Sequence, residues 1–354
     1  MGEPLPFSQR RGAGRRGGVA ARESKVTVVC FGELLLRLGA PGRELLLQSP
    51  RLEVHVGGAE ANVAIGLAAL AHPARMIGLV PDNALGRAAA AELRRQGVDT
   101  GTVAFGPGRM GLYFLSPGAG ARAASIVYDR EASSFALAGP GDYDWKALLE
   151  GASHLHLSGI TPALGDGPAR AAIDAAEAAG RMGIRVSFDG NYRTQLWERR
   201  AVDPAPVLRE LVSRADIFFG NERDMALLLS EEVDAGRPAA EAAFRAFPKL
   251  SLLASTSRTV EDAERHRIRA RLDARDEEAE TGELEVSGIV DRIGTGDAFA
   301  AGVLHALRLG EPLARAAEAG LALCALKHTL PGDASLFSRD DLEAFMRGAS
   351  DVRR

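Results

Sequence analysis

The stretch Asp291-Arg292-Ile293-Gly294-Thr295-Gly296-Asp297-Ala298-Phe299-Ala300-Ala301-Gly302 decides how this chain is read. Ile289-Val290 predict a strand running into it. Two glycines follow, and then a helix with an aspartate in its first turn. Glycines let backbone amides approach an anion closely, and those amides share the positive end of the helix dipole. Asp297 at that place is expected to stay ionised at neutral pH, ready to accept a proton. Two readings fit the spacing equally. One is an anion-stabilising loop with a carboxylate base, as phosphoryl transfer needs. The other is a plain capped helix in which Asp297 complements the dipole.

Outward from this stretch, the same strand–diglycine–helix pattern occurs at Val54-His55-Val56-Gly57-Gly58-Ala59-Glu60-Ala61-Asn62. Gly58 permits close backbone contact with a small ligand, and Asn62 projects one turn into the helix. A third feature, Asn221-Glu222-Arg223-Asp224, opens a helix just after an expected strand over 216–219. Acidic groups and an amide at a strand's C-terminal end can hold hydrated Mg²⁺ through waters; they can equally well cap the helix.

Around these motifs strands and helices alternate. Strands are expected over 26–31, 75–80, 154–157, 185–188, 216–219 and 250–254, and helices over 58–71, 84–96, 168–182, 295–309, 313–328 and 340–348. This alternation predicts an α/β fold, a mostly parallel central sheet with helices on both faces. Short extended runs at 34–38, 52–56, 98–104, 112–116 and 124–128 have no helix between them. They are expected to form one small sheet, a lid built from about 33–56 and 98–130 over the C-terminal edge of the main sheet. The charged stretch 258–280 reads as a solvated hairpin and loop.

The 354 residues carry 43 Lys+Arg against 47 Asp+Glu, a net charge of −4, which speaks against a general nucleic-acid binder. No segment approaches the ~18 consecutive apolar residues that span a bilayer. No nucleic-acid or membrane partner is expected, and the expected location is cytoplasmic. Residues 1–24 form a Gly-rich basic arm, expected to be disordered; its paired arginines lack the apolar stretch of an export signal. Cys30 and Cys324 sit in strand-like and helix-like runs and read as buried, reduced thiols. Two G-x-G-x-x-G matches, at Gly12/Gly14/Gly17 and Gly106/Gly108/Gly111, lack the strand–turn–helix setting of a dinucleotide fingerprint. His154 and His156 share one side of a strand and, without companion ligands at useful spacing, read as core or site-lining groups.

Together the three motifs resemble those of the PfkB, or ribokinase-like, family of sugar kinases, in the family's order and over about residues 26–348. The resemblance implies a ribokinase-like three-layer domain over 25–350 that uses ATP and Mg²⁺. The G-T-G-D run matches the family's G-A-G-D signature. By that match Gly294, Thr295 and Gly296 stabilise the transferring phosphoryl group, with Asp297 as the base. Gly57, Gly58 and Asn62 match the substrate signature. Asn221 and Asp224 match the N-x-x-E metal element, acting through water. Thr256 and Arg258, with Asn221, Gly294 and Gly296, stand where ATP contacts are expected.

Within the family, Val56-Gly57-Gly58-Ala59-Glu60-Ala61-Asn62, Tyr128-Asp129-Arg130, Ser187-Phe188-Asp189-Gly190-Asn191-Tyr192-Arg193 and Lys327-His328-Thr329-Leu330-Pro331-Gly332-Asp333 resemble kinases of 2-keto-3-deoxygluconate. This implies phosphorylation of the primary C6 hydroxyl, with Tyr128, Arg130 and Arg193 holding the sugar acid. Open sheet edges seek partners, so a homodimer or higher oligomer formed through the lid is expected. A guanidinium suits a carboxylate through two parallel hydrogen bonds, and a neutral sugar would leave buried arginines uncompensated. Other roles are open to the two arginines: an internal pair of Arg193 with Asp189, and a surface pair of Arg130 with Asp129 or Glu131. Kinases of another sugar (fructokinase, ribokinase, ketodeoxygalactonate kinase) and a non-catalytic sugar-acid sensor on the same fold are the competing functions. Three departures stand out: Arg292 for the family's Thr, Asp224 for Glu, and Ser255-Thr256-Ser257-Arg258 for the nucleotide loop's Lys-Leu-Gly.

Overall fold

The computed structural model describes residues 27–348, so the basic arm expected over 1–24 lies outside the described residues. The strands, in chain order, are β1 (Thr27–Phe31), β2 (Leu35–Gly39), β3 (Glu53–Gly57), β4 (Ala74–Pro81), β5 (Val103–Gly106), β6 (Gly111–Ser116), β7 (Ser125–Asp129), β8 (Ala152–Ser158), β9 (Arg185–Asp189), β10 (Ile217–Phe219), β11 (Leu252–Asp262), β12 (Arg265–Ala274), β13 (Glu278–Glu280) and β14 (Leu284–Ser287).

Ten strands form the main sheet in the order β13-β12-β11-β10-β9-β8-β1-β4-β5, with β14 also paired to β12. From β11 to β5 every neighbouring pair is parallel. At the centre β1 is apolar from Val28 to Phe31, as burial on both faces demands, and these four residues are inaccessible to solvent. Helices cover both faces, giving three layers. One core cluster joins the sheet to helices Ala59–Ala69, Ala84–Arg95, Thr295–Arg308 and Leu313–Lys327; another joins it to helices that include Asp166–Arg181, Ala205–Val212 and Arg237–Ala246. The chain runs outward from β1 through β4 to β5, then returns to the other side of β1 at β8 and proceeds to β9, β10 and β11. That reversal opens a crevice at the C-terminal ends of β1 and β8, where ligands bind in open α/β sheets.

A separate four-stranded sheet has the order β3-β2-β6-β7. At its base Leu36, Val56 and Leu112 meet the main core. Farther out on the same face, Val54 is 60% and Val127 53% exposed. The run at 98–104 does not join this sheet. Its ordered part is β5, an edge strand of the main sheet whose Val103 pairs with Gly78 of β4. Buried Val98 and Val103 draw that segment into the main core. The stretch 258–280 is a hairpin as expected, exposed along the outer part of β11, and its strands are long enough that β11 and β12 pair antiparallel from Leu252 to Asp262 and extend the main sheet. The strand expected at Ile289-Val290 is irregular backbone, because β14 ends at Ser287 and the amide of Val290 donates instead to the carbonyl of His328.

Helices Thr295–Arg308 and Leu313–Lys327 approach closely at Gly302, where a Cβ would lie 2.5 Å from the Ala319 carbonyl oxygen and 2.8 Å from the Gly320 Cα. Backbone atoms cannot move aside as a side-chain end can. Gly302→Ala is therefore expected to lower stability by about 1–3 kcal/mol, read as a lower urea midpoint with unchanged slope.

Candidate active site

The two diglycine motifs meet in the crevice. Gly58 precedes helix Ala59–Ala69 with φ of 142°, and Gly294 precedes helix Thr295–Arg308 with φ of 77°. A Cβ on Gly58 would overlap the Glu33 carbonyl oxygen; one on Gly294 would overlap that of Asp333. Only glycine fits either place. Beside Gly296 nothing lies within 4 Å of a Cβ position, so the loop's amides border open space. Thr295 is buried, its hydroxyl donating to the Arg292 carbonyl oxygen at 3.1 Å.

Asn62 and Asp297, from the two motif helices, join directly: the Asn62 amide Nδ2 donates to Asp297 Oδ2 at 2.7 Å in a buried setting. The Asn62 Oδ1 is buried and unpartnered among the described residues, leaving an acceptor for a ligand hydroxyl. Asp297 corrects the expectation of a carboxylate fully ionised at neutral pH. Burial raises its carboxyl from the ordinary 3.8 to about 7, against the lowering effect of the Asn62 hydrogen bond and the Arg193 charge. The dipole's help is outweighed by loss of water.

The capping reading of Asn221 and Asp224 is realised. Asn221 Oδ1 accepts from the Arg223 amide at 2.9 Å, and Asp224 Oδ2 accepts from the Asn221 amide at 2.8 Å. Burial raises the Asp224 carboxyl, opposed by that amide. Next to it stands a residue the motif reading left without a role. Asp189, at the end of β9, is raised to about 8 by burial and by the charge of Asp297. Its position at a C-terminal strand end, in a quoted motif, was the available signal.

On the sugar side the structure separates the two arginines. Arg193 is exposed, lies within the fields of Asp297, Asp189 and Asp224, and makes no ion pair among the described residues; its guanidinium donates to the Tyr192 carbonyl oxygen at 3.2 Å. The internal pair with Asp189 does not form. Arg130 is buried and bonded to Glu33, with Nε and Nη2 both 2.6 Å from Oε2. Its surface pairs with Asp129 and Glu131 do not form either: Asp129 pairs with Arg109. A neutral sugar would therefore leave neither arginine as an uncompensated buried charge, because Glu33 already neutralises Arg130 and Arg193 is not buried. Tyr128 is half-buried, its ring 6.3 Å from that of Tyr113.

Thr256 and Arg258 alternate along one face of β11, both exposed. Arg258 feels the charge of Arg292, and neither has an ion-pair partner among the described residues. His154 and His156 are buried core groups sharing the Ser187 hydroxyl, each at 2.8 Å. Cys30 and Cys324 are buried and free.

Against this geometry, a model of the pfkB family carbohydrate kinases matches residues 25–263. The 2-dehydro-3-deoxygalactonokinase of Haloferax volcanii is 32% identical over 321 residues, covering 91% of this chain and 96% of that protein. The 2-dehydro-3-deoxygluconokinase of Bacillus subtilis is 27% identical over 340 residues, covering 93% and 98%. The crystal structure of 2-dehydro-3-deoxygluconokinase from Thermotoga maritima superposes with a TM-score of 0.86 at 35% identity, covering 91% of this chain and all of that one. The chain belongs to the pfkB family of carbohydrate kinases, and it is a sugar kinase. Among the described residues no helix is long and apolar enough to cross a membrane.

The raised carboxyl of Asp297 has a consequence for stability. Its proton is held more tightly in the folded chain (about 7) than in the unfolded one (3.8), so folding stability is lost as pH rises from 3.8 to 7 and levels off above 7. Asp297→Asn keeps an oxygen to accept from Asn62 and removes the charge. The variant is expected to melt at a higher temperature than the wild type above about pH 7, with the difference shrinking as pH falls from 7 and fading only near the unfolded value, about pH 4. An equal difference at both ends would contradict it.

Proposed function

We propose that this kinase phosphorylates 2-keto-3-deoxygluconate (2-dehydro-3-deoxygluconate) at its C6 hydroxyl, with ATP as donor. The observation that carries the chemistry is the Asn62–Asp297 hydrogen bond, because it brings the substrate-side helix and the glycine-loop carboxylate to one point. Asp297 takes the proton of the C6 hydroxyl, the freed oxygen attacks the γ-phosphorus, and ADP leaves. The amides of Gly294, Thr295 and Gly296 stabilise charge on the transferring group.

Among the described residues no three His, Cys, Asp or Glu are grouped closely enough to hold a metal. Asn221 and Asp224, with Asp189 beside them, fit a hydrated cation held through water. Their buried carboxyls favour a nearby positive charge. Mg²⁺ bound there with ATP would neutralise phosphate charge. Thr256 and Arg258 would meet the phosphates, with Arg292 as a further unpaired cation.

The sugar acid rests on Arg193, a guanidinium at the site without a carboxylate partner among the described residues, together with relatives named for ketodeoxy sugar acids. Gly57, Gly58, Asn62 and Tyr128 would line the sugar, and Arg130, fixed by Glu33, would offer its remaining donors. The galactonate epimer is the second reading, because the Haloferax volcanii relative carries that name. The smaller sheet would act as the lid. Its exposed Val54 and Val127 and free edge strands β3 and β7 would pair with a second copy's sheet. A monomeric sedimentation profile at micromolar concentration would remove the dimer.

The test is ADP release with Mg²⁺-ATP on 2-keto-3-deoxygluconate, 2-keto-3-deoxygalactonate and fructose at equal concentration. Preference for the first is expected. Preference for the second replaces the epimer and keeps the class, and turnover on fructose alone overturns the acid-sugar site. Asp297→Asn is expected to lose turnover by about 10²–10⁴-fold while still binding the sugar. Unchanged function in that variant would favour the sensor reading. Arg193→Ala is expected to raise the sugar-acid KM about 10–100-fold.

A further inference from the structure

Arg37 lies on β2 of the smaller sheet, yet its guanidinium is buried and directed into the main domain. Nη2 donates to Asp291 Oδ2 at 2.6 Å, and Nη1 donates to Asp333 Oδ1 at 2.9 Å. Tyr113, its register partner on β6, donates its hydroxyl to the other Asp333 oxygen at 2.6 Å. Two neighbouring strands of the sheet thus grip Asp333, and β2 grips Asp291 as well.

Those acids frame the glycine loop. Asp291 accepts from the Ile293 amide at 2.9 Å through Oδ1 and from the Gly332 amide at 3.1 Å through Oδ2. The Asp333 carbonyl oxygen occupies the place a Cβ on Gly294 would take, and its carboxylate lies where a Cβ on Gly57 would be. Asp333 therefore touches both glycine motifs at once. Lys327 is inaccessible to solvent and donates to the Leu330 carbonyl oxygen at 3.0 Å. It lies within the field of both acids, so two cations face two anions.

A buried ion network of this kind adds little net stability over well-packed apolar residues, because desolvation offsets the attraction. What the planar guanidinium fork does supply is fixed geometry between two carboxylates, which an ammonium cannot reproduce. We propose that Arg37 is a positioning residue for phosphoryl transfer: through Asp291 and Asp333 it sets the Gly294–Gly296 amides relative to the smaller sheet. The anion loop then has its working shape only while that sheet is seated. This rests on the kinase reading for its effect on rate, but not for its effect on the loop.

The test compares wild type, Arg37→Gln and the double variant Arg37→Gln/Asp333→Asn, in which Lys327 faces Asp291 alone and charge is balanced. Two readouts are taken: amide hydrogen exchange over residues 289–298, with helix Asp166–Arg181 as the internal reference, and kcat and KM on the sugar that wild type turns over best. In the double variant, exchange over 289–298 is expected to rise by about tenfold or more while the reference helix is unchanged. Its kcat is expected to fall about 100-fold, as a displacement near 1 Å allows, with the sugar KM within about threefold. Recovery of kcat on restoring charge balance, or unchanged loop exchange, overturns the proposal in favour of a merely structural pair. Should Arg37→Gln fail to fold, Tyr113→Phe removes one grip on Asp333 and is expected to shift both readouts in the same direction by a smaller factor. If wild type phosphorylates no sugar, the kinase reading fails while loop exchange still decides the role of Arg37.

Discussion

The hydrogen bond from Asn62 to Asp297 is the constraint on which the site depends, because it ties together positions 235 residues apart in the chain. It forms only because helices Ala59–Ala69 and Thr295–Arg308 start side by side and pack closely. At their contact, a Cβ on Gly66 would come within 2.9 Å of the Ala301 Cβ. Small residues at that crossing bring the two axes together, and the left-handed glycines at both helix starts aim both N-termini into the same crevice. A bulkier pair would separate the helices and with them the substrate-side amide and the carboxylate.

Charge in the crevice is arranged in two opposed groups. Asp189, Asp224 and Asp297 are held above the ordinary carboxylate range, chiefly by burial. Arg258 and Arg292 repel each other, and neither has an ion-pair partner among the described residues. Each group gains from a ligand of opposite sign, and a metal-bearing polyphosphate brings both signs. Perturbed groups concentrated in a cleft are what a working site requires, since a carboxylate far below neutral pKa would be a weak base. Arg130 stands apart from this pattern, because Glu33 neutralises it before any ligand arrives.

Much of the fold was legible in local sequence. The unbroken apolar run of β1 and the helix over 84–96 state their structures within a few residues. Both glycine motifs were equally plain, and at Gly58 and Gly294 no other residue tolerates the backbone or its neighbours. The misreadings share a cause. The run at 98–104 was extended in either sheet, and only the burial of Val98 and Val103 decided which one took it. Ile289-Val290 had the composition of a strand, but the available partner was the carbonyl of His328. Asp297 was expected to be ionised from its place on the helix dipole, a local property, whereas its proton affinity is set by how much water the whole fold excludes.

The sequence by itself determined the order of elements, the glycines that allow two helix starts to face an anion, and the residues with the chemistry of a kinase, because these depend on neighbours within a turn or two. Tertiary structure alone decided that Arg130 faces Glu33, that Arg193 makes no ion pair among the described residues, and that Arg37 of the smaller sheet grips Asp291 and Asp333 beside the glycine loop. The physical reason is that an ionic partner is chosen by distance in space and by loss of solvent. Neither is written in the spacing of residues along the chain.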